Sequence, residues 1–73
     1  MMKFPAMCPR CKQGPDLHRV RITGLVDIIF VCHECDATWL TIETIGNCPP
    51  HVFETYLREN GLDPISVTQE ILD

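Results

Sequence analysis

The sequence predicts a small, metal-stabilised α+β fold in which two to three antiparallel β-strands are followed by two short C-terminal helices. Three observations predict it. Two C-x2-C pairs, at residues 8–11 and 32–35, bracket 20 residues. The sequence between and just after the pairs is rich in β-branched and aromatic residues. Beyond residue 48, prolines are followed by apolar residues at helical spacing.

The chain has 73 residues and is expected to form a single domain, 1–73. Its hydrophobic fraction of 45% is too high for a disordered chain. A chain this short nevertheless buries little surface, whereas ordering each residue costs about 1–2 kcal/mol. Small domains usually add a disulfide, a metal or a partner to make up the difference.

The predicted strands lie around the cysteine pairs. In LHRVRIT, residues 17–23, Val20 and Ile22 alternate with Arg19 and Arg21, which predicts a half-buried strand. Residues 28–32, IIFVC, form the returning strand of a hairpin. A third strand is predicted over 37–43, ATWLTIE, directly after the second cysteine pair.

The first predicted helix begins at about Pro50, because the residue before a proline disfavours helical geometry. It covers HVFETYLREN and ends at Gly61, a typical C-terminal cap. One of its faces is apolar and is expected to pack on the sheet, the alternative being a partner's docking surface; this face contains Val52, Phe53, Tyr56 and Leu57.

The second helix is predicted over DPISVTQEILD, residues 63–73. Asp63 is a suitable N-cap, and Pro64 suits the first helical position. The apolar edge of this helix would consist of Ile65, Ile71 and Leu72.

Four cysteines have the spacing of a metal site: Cys8, Cys11, Cys32 and Cys35. The x20 separation lies at the upper end of the range for zinc sites built from two C-x2-C pairs. Four thiolates fill the tetrahedron of a zinc ion and leave no position for water, so one structural Zn²⁺ is expected and no catalytic metal. The odd count of five cysteines and the lack of a signal peptide also disfavour a disulfide framework and predict a cytoplasmic protein.

This arrangement resembles the zinc-ribbon family over residues 6–43, from the knuckle CPRC through the knuckle CHEC to ATWLTIE. The resemblance implies a zinc ribbon with a helical tail, residues 50–72, packed on it. The layout is also similar to small bacterial zinc-ribbon proteins encoded near secreted toxins, some of which act as immunity proteins. The second resemblance rests on Phe53, Tyr56, Leu57, Gly61 and Leu62.

Two other uses of the cysteines stay open. A rubredoxin-type iron site has the same ligands, but in that family glycine closely follows each pair, whereas Lys12 and Asp36 do so here. CPRC also fits a redox dithiol, although 73 residues do not provide the βαβ context of thioredoxin-like sites.

Other residues with chemical potential have simpler interpretations. His33 lies inside the second knuckle, where four sulfurs already complete the ligand set, and an exposed position is expected. Cys48 is predicted to be a packed or partly exposed free thiol, and His18 and His51 have no ligand-like spacing. Trp39 is expected in the core, with stacking on a nucleic-acid base as the alternative.

Charge is distributed unevenly along the chain. Residues 1–31 carry five Lys or Arg and two Asp, a net charge of +3, whereas residues 32–73 carry one Arg and eight Asp or Glu, a net charge of −7. The leading hypothesis is therefore a zinc-stabilised protein-binding module that neutralises a basic, toxin-like partner. Its predicted acidic face contains Glu54, Glu59, Asp63, Glu70 and Asp73.

The alternative is a nucleic-acid-associated zinc ribbon of the transcription or translation type. It would act through Arg10, Lys12, Arg19 and Arg21, although the sequence pI of about 5.1 is low for such a module. No nucleophile with a base and no phosphate-binding loop is present, so the sequence predicts no enzyme and no small-molecule substrate. No apolar run is long enough to span a membrane.

Overall fold

A computed structural model describes residues 3–73, which form a five-stranded antiparallel sheet and one α-helix. The strands are β1 (Leu17–Ile22), β2 (Ile29–Cys32), β3 (Ala37–Trp39), β4 (His51–Val52) and β5 (Gln69–Ile71). The helix α1 spans Phe53–Glu59. The strand order is β4-β3-β2-β1-β5. Strands β1, β2 and β3 form a meander, and β4 and β5 extend its two edges.

The β1–β2 hairpin fixes which residues share a face of the sheet. Leu17 pairs with Cys32, and Val20 pairs with Ile29. Because successive side chains in a strand point to opposite faces, these two pairs, an odd number of residues apart, lie on opposite faces. The open end of the hairpin carries the cysteines, and its turn at residues 23–28 forms the opposite, distal end of the molecule.

The sheet has a core on each face. The metal-side core is made of Cys8, Leu17, Phe30, Cys32, Ala37 and Trp39. The helix-side core is made of Val20, Ile22, Ile29, Val31 and Leu57. The predicted burial of Trp39 is confirmed: its side chain is 2% exposed, and its Nε1–H donates to the Cys48 carbonyl at 3.0 Å.

The helix α1 begins at Phe53, three residues later than predicted from Pro50. His51 and Val52 instead pair with β3, because Thr38 and Ala37 offer them a free strand edge. At the other end, Gly61 has a φ of 76°, and the Leu62 N–H donates to the Leu57 carbonyl at 2.9 Å, a typical glycine-terminated helix end.

The apolar helix face packs much as expected. Leu57 is fully buried in the helix-side core, and Phe53 and Tyr56 are half-buried against it. Val52 is the exception, since it belongs to β4 and is 51% exposed.

The prediction of a second helix over 63–73 was wrong. Asp63 does cap a single turn, because its carboxylate accepts the Ile65 N–H at 3.0 Å and the Ser66 hydroxyl at 3.1 Å. The chain then extends into β5, which pairs antiparallel with the outer edge of β1, Val20 opposite Ile71. This pairing satisfies backbone N–H and C=O groups on the outer edge of β1. A short helix over the same residues would leave those groups unpaired.

The third strand is also shorter than predicted. It ends at Trp39, and a 3-10 turn covers Ile42–Thr44 in place of the second half of the predicted 37–43 strand. The Thr44 hydroxyl donates to the Thr41 carbonyl at 2.8 Å, a local bond of the kind by which threonine competes with strand pairing.

Candidate metal centre

The four predicted cysteines lie together at the open end of the β1–β2 hairpin. Their sulfur atoms are all within 4.8 Å of one another. Cys8 Sγ lies 3.7 Å from Cys35 Sγ, and Cys11 Sγ lies 3.6 Å from Cys32 Sγ, so the closest contacts join one knuckle to the other. All four are free thiols, and the group could hold one metal ion.

The two knuckles share one backbone design. In CPRC the Lys12 N–H donates to the Cys8 carbonyl, and in CHEC the Asp36 N–H donates to the Cys32 carbonyl, both at 2.9 Å. Lys12 has a φ of 55° and Asp36 a φ of 63°, the left-handed region that usually favours glycine. The residues that depart from the rubredoxin pattern therefore adopt the conformation that glycine would take there, and their identity does not discriminate against iron.

The sulfur positions fit a tetrahedral ion. A zinc–sulfur bond is about 2.3 Å long, which places tetrahedrally arranged sulfurs about 3.8 Å apart. The two cross-knuckle separations, 3.6 and 3.7 Å, lie close to this spacing. A disulfide would instead require about 2.05 Å between sulfurs. The ligand set is thus arranged for one ion with four sulfur ligands.

The environment of the thiols affects their protonation unequally. Burial raises the pKa of Cys32 to about 12, and burial also raises the pKa of Cys35. For Cys8, burial acts upward, but hydrogen bonds from the backbone of Cys11 and Arg10 and from neighbouring thiols outweigh it and lower the pKa. Since metal ligands must be thiolates, metal binding at this site releases protons.

Apolar side chains cover one side of the site. Cys8 and Cys32 are fully buried and belong to the metal-side core with Leu17, Phe30 and Trp39. Cys11 and Cys35 are half-buried and pack against the same core. A metal bound here would therefore join both knuckles to the packed sheet.

The remaining cysteine and the histidines lie outside this ligand set. Cys48, predicted to be a packed or partly exposed free thiol, is a free thiol and is exposed. His33 is exposed at the tip of the second knuckle, and His51 packs beside Tyr56, with ring centroids 5.4 Å apart. None of these residues belongs to the four-cysteine cluster.

One cluster was missed from the sequence. The rings of His18 and His33 stack with their centroids 4.6 Å apart, and His18 Nδ1 lies 2.8 Å from Asp73 Oδ2. His18 and Asp73 are 55 positions apart, so only the unpredicted pairing of β5 with β1 brings them together. No spacing in the sequence could have indicated this contact.

Most residues of the predicted acidic face have partners within the chain. Glu54 pairs with Arg58 at 2.8 Å, and Glu70 pairs with Arg21 at 3.5 Å. Asp63 caps its own turn, and Asp73 accepts the Arg19 N–H at 2.7 Å. The acidic C-terminal strand therefore lies against the basic strand β1, and the two halves of the charge distribution meet there.

No protein-family model, curated protein or solved structure matches this chain. Among residues 3–73, the structure has no helix with the length and apolar character needed to cross a membrane.

Proposed function

We propose that the protein is a non-catalytic module held together by one structural Zn²⁺, and that it acts by binding another protein. The zinc ligands are Cys8, Cys11, Cys32 and Cys35. In its most specific form, the module neutralises a basic, toxin-like partner in a reducing compartment such as the cytoplasm, as an immunity protein would.

The arrangement of the cysteines supports a structural metal. Four thiolates complete a tetrahedral zinc site, so that neither water nor substrate can reach the ion without displacing a ligand. Among first-row metals, zinc suits a four-sulfur tetrahedral site without demanding redox chemistry. The metal would then contribute folding free energy, about 10–16 kcal/mol in apparent binding energy for such sites.

The observation that carries the protein-binding proposal is the surface of the distal end. Two aliphatic side chains there are almost fully exposed: Val26, in the turn after β1, is 96% exposed, and Ile65, in the turn after α1, is 92% exposed. The two turns belong to one surface, because Leu62 packs so closely on Gly24 that a Cβ there would lie 2.9 Å from Leu62 Cδ2. We take these two turns as one apolar contact surface for a partner.

Charge around the distal end favours a basic partner. Neither the turn at residues 23–28 nor the segment 59–73, which contains Ile65, has a Lys or Arg. Asp27 flanks Val26, and Glu59 ends the helix that leads to Leu62. Exposed carboxylates beside an apolar contact steer a positively charged protein toward it and raise its association rate.

The nucleic-acid alternative has less support from the geometry. Arg19 and Arg21 share a face of β1, but Arg21 pairs with Glu70, and the Arg19 backbone is bonded to Asp73. Phosphate contacts supply most non-specific affinity for nucleic acids, and the four basic residues of this alternative, Arg10, Lys12, Arg19 and Arg21, offer few, since Arg21 already pairs with a carboxylate.

The test begins with co-purification of a partner from the native host on the metal-loaded protein. We expect Val26→Ser with Ile65→Ser to abolish retention of that partner. Asp27→Lys with Glu59→Lys should slow association at low salt and have a smaller effect at high salt. The matched control is Arg19→Glu with Arg21→Glu, which should leave association nearly unchanged.

The opposite pattern would overturn the proposal. If the arginine pair abolishes binding while the distal variants do not, and the protein retards short oligonucleotides at physiological salt, the protein is a nucleic-acid-binding ribbon. Bound iron on elemental analysis would overturn the choice of zinc.

A further inference from the structure

The cluster of His18, His33 and Asp73 lies on the helix side of the sheet, outside the cysteine site. The Asp73 side chain is only 2% exposed. One of its oxygens accepts the Arg19 N–H at 2.7 Å, and the other lies 2.8 Å from His18 Nδ1. A carboxylate that already accepts a backbone N–H is held in place, and so is the imidazole bonded to it.

This bond determines which nitrogen of His18 is free. Because an ionised carboxylate only accepts hydrogen bonds, Nδ1 carries the proton and donates the hydrogen bond to Asp73. In the neutral imidazole, Nε2 then has an available lone pair, and the ring is held in one orientation. Metal-binding histidines are commonly oriented in this way, with one nitrogen bonded to a carboxylate and the other bound to the metal.

His33 supplies a second imidazole beside the first. Its backbone is fixed, because it lies between Cys32 and Cys35 and its N–H donates to the Asp16 carbonyl at 3.0 Å. Its side chain is exposed and can rotate. The two ring centroids are 4.6 Å apart with the planes 28° from parallel.

We propose that His18 and His33 form a second metal site, for a late first-row divalent ion such as Zn²⁺ or Ni²⁺, with Asp73 as the residue that positions His18. Imidazole nitrogen is a preferred ligand of these ions. Metal–nitrogen bonds of about 2.0–2.1 Å put the centroids of two imidazoles on one ion about 5 Å apart. The stacked rings do not direct both nitrogens at one ion, so binding requires the exposed His33 ring to turn out of the stack while staying about as far from His18 as it is now. Water completes the coordination.

The proposal is tested on tag-free Cys48→Ser protein whose cysteine site already holds one equivalent of Zn²⁺. The serine removes the exposed thiol as a competing ligand. Titration with Zn²⁺ or Ni²⁺ alone, followed by calorimetry, should show one further equivalent. The ring signals of His18 and His33 should shift together in NMR spectra recorded during the Zn²⁺ titration.

The variants separate binding from folding. His33→Ala changes an exposed side chain and should weaken the second equivalent at least tenfold. Asp73→Asn keeps the shape of the side chain and should weaken it about 10-fold to 100-fold through loss of the positioning carboxylate. His51→Ala, which removes a histidine on the other edge of the sheet, is the matched control and should leave the affinity unchanged.

Two results would overturn this inference. One is the binding of no second equivalent by the parent protein. The other is a second equivalent whose affinity His33→Ala leaves unchanged, or which His51→Ala weakens as much as His33→Ala does. Backbone amide spectra of each variant with the first Zn²⁺ bound establish that the fold is intact before the titration begins.

Discussion

The two faces of the sheet are stabilised in different ways. The helix-side core consists of five aliphatic residues, including Leu57 from α1, and contains no titratable side chain among its buried members. The metal-side core has six residues, two of which, Cys8 and Cys32, belong to the four-cysteine group. One core is thus held by apolar burial alone, whereas we expect the other to depend on a bound metal and on deprotonated thiols. Because β1 and β2 contribute to both cores, we expect the metal-side core to set the stability of the whole sheet.

The largest effect should come from removing the metal. Chelation, or Cys32→Ser, should unfold the knuckles and the hairpin, since about 10–16 kcal/mol of apparent binding free energy would be lost. Exposure of Trp39, followed by its fluorescence, and loss of amide signal dispersion in NMR spectra measure this unfolding. Cys48→Ser is the control and should change the free energy of unfolding by less than about 1 kcal/mol, because its thiol is exposed. Equal losses in the two variants would contradict this assignment of the ligands.

Truncation of the helix-side core should have the next largest effect. Leu57→Ala should lower the free energy of unfolding by about 2–5 kcal/mol, because the side chain is fully buried. One equivalent of metal should still be bound when the variant is folded. Val52→Ala is the matched control, since Val52 adjoins the same helix but is 51% exposed, and should cost less than about 1 kcal/mol. A similar loss from both substitutions in urea denaturation would mean that the helix does not hold that face.

The two faces should also respond differently to pH. Burial holds the pKa of Cys32 at about 12, so this thiol is protonated near neutral pH and must lose its proton to bind a metal. Each pH unit downward should therefore weaken metal affinity at least tenfold. Competition with a chelator of known pH dependence, at pH 6, 7 and 8, measures this slope. A flat profile would indicate that no protonated thiol loses its proton on binding, and would contradict the assignment of Cys32 as a ligand.

The smallest effect concerns the two knuckles themselves. A left-handed conformation costs a residue with a side chain about 1–2 kcal/mol relative to glycine, and asparagine or aspartate tolerates it better. Lys12→Gly should therefore raise the free energy of unfolding by up to about 1 kcal/mol after the greater flexibility of unfolded glycine is counted. Asp36→Gly should raise it less. Thermal unfolding of the metal-loaded variants decides, and a lower melting temperature for Lys12→Gly would show that its side chain makes a stabilising contact.

The elements that sequence reasoning predicted well are those decided by local pattern. The alternation at Val20 and Ile22 and the spacing of the cysteines each depend on residues close in sequence, and the hairpin and the cysteine cluster follow from them. Gly61 ends α1 for a similar local reason.

The elements that were missed depend on distant partners. Asp63 and Pro64 can begin either a single capped turn or a whole helix, and the local sequence does not distinguish the two. Residues 69–71 form a strand because the edge of β1 is free to pair with them. Likewise, His51 and Val52 form β4 because the edge of β3 is available. The pairing of Arg21 with Glu70 and of His18 with Asp73 could not be predicted, because both follow from β5.

The pairing of β5 with β1 also has a consequence for the order of folding. Arg21 and Glu70 are 49 positions apart, whereas β1 and β2 are joined by a short turn. Closing a long loop costs more chain entropy than closing a short one, so the hairpin and knuckles should form first and β5 should dock last. In the interval, β1 exposes an unpaired edge of the kind that joins strands of neighbouring chains. The protein should therefore be most prone to aggregate early in refolding, and a synthetic peptide of residues 66–73 added at that stage should suppress it.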